Sequence, residues 1–102
     1  MAGEHSVGSV AQIPKGEGRT FELNGQRIAV FLTRAGDVFA IQAKCPHRDG
    51  PLADGLLGTD TLVCPLHERI FDLRTGRGIG HDDCVQVYPA RLEEDGSILI
   101  TA

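Results

Sequence analysis

Apolar and polar positions alternate in short runs along this chain, and turn-forming residues separate the runs at close intervals. Residues 7–11, 20–23, 27–32 and 38–42 read as strands, followed by 56–57, 61–63, 70–73, 85–92 and 97–101. Asn24-Gly25 favours positive φ at both central positions of a tight turn, which predicts a two-residue hairpin. Pro14-Lys15-Gly16, Ala35-Gly36-Asp37, Gly58-Thr59-Asp60 and Asp95-Gly96 mark further turns. No long stretch carries helical apolar spacing. Many short strands with regular turn signals predict an all-β sandwich or small barrel, with no low-complexity tract.

Two of the predicted strands deliver the chain to similar loops, Cys45-Pro46-His47 and Cys64-Pro65-Leu66-His67. Each loop offers one soft sulfur and one borderline nitrogen. Two such loops meeting tip to tip could hold one tetrahedral zinc or a two-iron cluster. The common zinc-finger order groups both cysteines and then both histidines, whereas each pair here is mixed.

The arrangement Cys45-x-His47…Cys64-x-x-His67 resembles the binding motif of Rieske proteins, and the likeness continues through Arg48-Asp49-Gly50-Pro51-Leu52 and Phe71-Asp72-Leu73-Arg74-Thr75-Gly76. The resemblance implies a Rieske-like antiparallel β-sandwich with two cluster-binding loops on hairpin arms. It also implies one [2Fe–2S] cluster per chain. Cys45 and Cys64 would hold the inner iron, and His47 and His67 the outer iron through Nδ1, with the histidine edge facing solvent. Two thiolates and two neutral imidazoles leave the oxidised site uncharged, whereas four thiolates would leave it anionic. Adding an electron is therefore easier, which places such clusters at roughly −150 to +300 mV.

High-potential members of the family carry a bridged cysteine pair where Gly50 and Leu66 stand here, and serine and tyrosine hydroxyls where Arg69 and Phe71 stand. Neither substitute supplies the same hydroxyl hydrogen bond, so the lower part of the range is expected. Glu68 replaces a customary glycine. Arg48, Glu68 and Arg69 are expected to form a solvated rim. Many Rieske ferredoxins have a proline-containing loop over the cluster; His81 falls there in this chain and is not expected to be a ligand.

A chain of 102 residues is expected to form one domain, 1–102, too short to add the separate iron site of an oxygenase. A net charge of −4 and few aromatic residues argue against nucleic acid as a partner. No apolar run approaches the roughly 20 residues that span a bilayer, and no signal segment is evident, so a soluble cytoplasmic protein is expected. The third cysteine, Cys84, is expected to be a buried or half-buried small hydrophobe near Val85 in preference to a reactive thiol, and His5 to lie in a frayed terminus. Residues 76–80 lack the spacing and following helix of a phosphate loop and read as turn glycines.

These readings converge on an electron carrier that is not catalytic alone and needs a redox partner protein. The stretch 45–55, Cys64-Pro65-Leu66-His67 and Val87-Tyr88-Pro89-Ala90-Arg91 resemble the small subunit of NAD(P)H-dependent nitrite reductases, the preferred comparison, whose large reductase subunit would be the partner. Rieske ferredoxins that take electrons from a flavin reductase and pass them to a ring-hydroxylating dioxygenase are the alternative. A zinc-stabilised interaction module is the remote one.

Overall fold

Asn24 and Gly25 have φ of 52° and 79°, and the hairpin they close joins the two longest strands of the molecule. The computed structural model describes residues 3–46, 50–65 and 69–101. The elements in chain order are β1 (Glu4–Ser9), β2 (Glu17–Leu23), β3 (Gln26–Leu32), β4 (Val38–Gln42), β5 (Leu56–Leu57), β6 (Thr61–Val63), β7 (Ile70–Asp72), β8 (Gly78–Ile79), β9 (Val87–Tyr88), β10 (Ala90–Leu92) and β11 (Ser97–Thr101). Short 3-10 turns cover Val10–Gln12 and Leu52–Asp54. Every described strand pair is antiparallel, as the all-β reading requires.

The strands form three sheets, ordered β1-β11-β10, β2-β3-β4-β9 and β5-β6-β7-β8. The second sheet has both faces covered. Ile28, Val30, Leu32 and Ala40 pack with Ile98 and Ile100 of β11 on one side. On the other side, Ala29, Phe31 and Ile41 pack with Leu52, Leu62, Phe71 and Leu73. Because side chains alternate across a strand, coverage of both faces explains why residues 28–32 of β3 are all buried. Gly18 sits over Phe31, where a Cβ would lie 2.5 Å from the ring, so the absence of a side chain permits this packing.

The third sheet is inserted between β4 and β9. Gln42 donates its amide to the Gln86 carbonyl at 3.0 Å, and the Gln86 amide donates to Gln42 Oε1 at 2.8 Å, so the insertion leaves and returns at one place. Within it, Leu57, Leu62, Phe71 and Gly78 follow one another across the strands on the inner face. Leu56, Val63, Ile70 and Ile79 make the matching row on the outer face. The outer row ends in two exposed aliphatics, Leu56 at 75% and Ile79 at 48%.

Several expectations change. The first strand begins at Glu4 and pairs His5 with Ile100, so His5 is held in a sheet and is not frayed. Residues 10 and 11 leave that strand because Ser9 and Gln12 form a reciprocal capping box around the following 3-10 turn. The expected strand 85–92 divides at Pro89 into β9 and β10, which belong to different sheets. Proline offers no N–H to continue a ladder, and its carbonyl instead accepts from the Thr101 amide at 2.9 Å. Strand β8 was not anticipated within 76–80. Gly76 and Gly80 flank it at φ of 81° and 82°, and a Cβ on Gly76 would collide with the Val85 carbonyl.

Candidate metal centre

Cys45 follows β4 and Cys64 follows β6 directly, so each thiol stands at the root of a loop carried by a sheet. The Cys45 amide donates to the Gly50 carbonyl at 2.8 Å, and the Cys64 amide donates to the Arg69 carbonyl at 2.7 Å. Both bonds reach five residues forward. The two loops are thus closed in the same way, although their sequences differ in length between cysteine and histidine. A bridge between Lys44 and Pro51 steadies the first loop outside its closing bond, and the β6–β7 pairing of Val63 with Ile70 does so for the second.

Both thiols are buried, each at 1% exposure, within the same apolar cluster as Leu52, Leu62 and Phe71. No disulfide joins Cys45, Cys64 or Cys84. The remaining predicted ligands, His47 and His67, lie outside the described residues, as do Arg48, Asp49, Leu66 and Glu68. The described residues therefore supply the inner, sulfur half of the expected ligand set.

Behind the second loop, the segment 78–84 makes contacts that the sequence did not announce. His81 is mostly buried. Its Nε2 is 2.9 Å from the Ile70 carbonyl oxygen, while the Asp83 amide donates to its Nδ1 at 3.2 Å. A carbonyl can only accept and an amide N–H can only donate, so these two contacts suit the tautomer that carries its proton on Nε2. The ring meets Phe71 edge to face at 5.1 Å, and a Cβ on Gly78 would strike it. The Asp83 carboxylate pairs with Arg69 Nη1 at 3.4 Å. Arg69 is thereby a partly buried, anchored residue and not the solvated rim charge expected.

Cys84 differs from expectation in the opposite direction. It bridges Arg77 through the backbone, and alternation turns Val85 inward while Cys84 is left exposed. A smaller detail bears directly on the fit of a cofactor. Arg69 Nε is buried and has no hydrogen-bond partner among the described residues. Two buried thiols at the roots of matched loops, with a buried N–H donor in the second, suit a group that brings iron and sulfur acceptors.

A Rieske [2Fe–2S] domain model matches residues 3–89, and the chain belongs to that family. Its cofactor is a Rieske-type [2Fe–2S] cluster, and its role is that of an electron carrier. The chain is 35% identical over 88 residues to the biphenyl dioxygenase ferredoxin subunit of Pseudomonas sp. strain KKS102, covering 83% of this chain and 80% of that one. The ferredoxin of carbazole 1,9a-dioxygenase from Nocardioides aromaticivorans IC177 superposes with a TM-score of 0.83 at 26% identity, over 95% of each chain. A Mycobacterium tuberculosis structure assigned as an NADH-dependent nitrite reductase small subunit superposes with a TM-score of 0.91 over 100% of this chain and 96% of that one. Its identity is 22%, so that likeness concerns the fold. No helix among the described residues is long and apolar enough to cross a membrane.

Proposed function

We propose that this chain is a single Rieske domain acting as a soluble, cytoplasmic one-electron carrier, with Cys45 and Cys64 on the inner iron and His47 and His67 on the outer iron. The observation that carries the ligand assignment is the pairing of Cys45 and Cys64, both buried and both rooted in loops closed by the same backbone bond. The cluster, held by these residues, would supply a site that gains and loses one electron. The protein's part is to fix the thiols on two sheets, exclude water from the sulfur side and leave the electron's exit to the loop tips. The histidine ligation makes the oxidised site neutral and so easier to reduce than an all-cysteine site.

Within this role, the 35% identity with the biphenyl dioxygenase ferredoxin supports a partner pair made of a flavin reductase and a terminal oxygenase. The alternative, the small subunit of a nitrite reductase receiving electrons within a stable complex, is supported by the likeness of residues 45–55, 64–67 and 87–91 to that subunit. Catalysis would take place on the partner in either case.

Anaerobic purification tests the first level. A brown protein with about two irons and two sulfides per chain and a rhombic resonance after reduction is expected. A colourless zinc protein would overturn the reading. Isolation from the native host tests the second. Transient exchange with a reductase and an oxygenase is expected for the ferredoxin, and a stable complex with a large flavin- and haem-containing subunit for the alternative.

A further inference from the structure

Arg69 is the residue whose carbonyl closes the second cysteine loop, and its side chain is held from the opposite side by the segment 78–84. The side chain as a whole is 30% exposed, yet its Nε is buried without an acceptor among the described residues. The clamp determines which nitrogen is left over. Asp83 Oδ2 takes Nη1 at 3.4 Å, the Asp83 amide is tied to His81 Nδ1, and His81 Nε2 is tied to the Ile70 carbonyl next to Arg69. Turning Nε out to water would draw Nη1 away from the Asp83 carboxylate. Buried N–H donors in folded proteins are almost always satisfied, so an acceptor belongs at this place.

We propose that Arg69 Nε–H donates a hydrogen bond to a sulfur of the [2Fe–2S] cluster, with Asp83 and His81 as the positioning residues that hold it there. The inference rests on the cluster reading. Sulfur is the acceptor chemistry that the cofactor brings to the Cys64 loop, and a donor at a cluster sulfur favours the reduced state because reduction adds negative charge to the core. The bond therefore raises the midpoint potential above that of an otherwise identical site lacking it.

The test uses the holoprotein labelled with ¹⁵N-arginine, reduced and examined by pulsed electron paramagnetic resonance, together with redox titration of Arg69→Lys. That variant keeps a positive charge but removes Nε–H. A ¹⁵N hyperfine coupling is expected in the labelled wild type and should vanish in Arg69→Lys. The variant's reduction equilibrium constant should fall by about threefold to tenfold, tenfold corresponding to ~59 mV for one electron. Absence of the coupling from the labelled wild type, or a wild-type potential in Arg69→Lys, overturns the proposal. If the variant fails to load its cluster, the labelled wild type decides alone. A protein without iron and sulfide would instead defeat the cluster reading itself, a separate outcome.

Discussion

The Cys45 amide donates to the Gly50 carbonyl at 2.8 Å, and this bond sets the thiol at the base of its loop. The Cys64 amide repeats the relation with Arg69 at 2.7 Å. The backbone thus closes both cysteine loops by the same bond. Cys45→Ser and Cys64→Ser should each lose most of the bound iron, measured by iron and sulfide analysis, while the far-ultraviolet spectrum keeps its β character. A variant that retained the full cluster signal would remove that cysteine from the ligand set.

The inserted sheet separates inner and outer positions sharply. Leu62 is fully buried beneath the second loop, so Leu62→Ala should cost about 2–5 kcal/mol in denaturant titrations. Leu56, one strand away on the outer face, is largely exposed, and Leu56→Ser should change stability by less than about 0.5 kcal/mol. Equal effects would contradict the assigned faces.

Gly76 and Gly36 both have positive φ, at 81° and 97°, but their surroundings differ. A Cβ at Gly36 meets nothing within 4 Å, so Gly36→Ala should cost only the left-handed strain of about 1–2 kcal/mol. At Gly76 the same methyl would collide with the Val85 carbonyl and press on Val87. Gly76→Ala should therefore lower the unfolding midpoint markedly more than Gly36→Ala, by thermal denaturation followed in parallel.

Asp95 caps the last hairpin, accepting from the Ser97 amide at 2.9 Å. This backbone bond, aided by the Ser97 hydroxyl, holds the carboxyl below its ordinary value of 3.8. A depressed carboxyl favours the folded state above the unfolded value, and that contribution disappears as pH falls through the folded value. A carbon-detected titration of Asp95 should give a midpoint below 3.8, and Ser97→Ala should move it part of the way back. An unchanged midpoint in the variant would assign the effect to the amide alone.

Local signals made much of this fold legible. Asn24-Gly25 specifies its own turn, and Val38–Gln42, Thr61–Val63 and Ser97–Thr101 are short apolar runs that follow turn residues and so can be read as strands without knowing their neighbours. Pro89 was visible as a residue, but its effect depended on two sheets meeting there, which no local pattern encodes. Cys84 looked like a core residue because a cysteine beside Val85 is usually buried; strand alternation decides otherwise once Val85 faces inward. The two cysteine loops stood out from spacing and likeness. The clamp of Arg69, Asp83 and His81 was not, because it joins residues from two segments by hydrogen bonds that composition cannot reveal. The available hint was a histidine and an aspartate two positions apart, His81 and Asp83.

The clasp between Gln42 and Gln86 means that the segment carrying both cysteine loops enters and leaves the sandwich through a single doorway. Closing a longer excursion at such a doorway adds little entropy cost, because that cost rises only with the logarithm of length. Residues could therefore be gained or lost in the excursion without shifting the register of β3 against β4. Removing it altogether is another matter, since Ala29, Phe31 and Ile41 would lose their cover and face water. The inserted segment is thus a detachable length of chain but an indispensable roof.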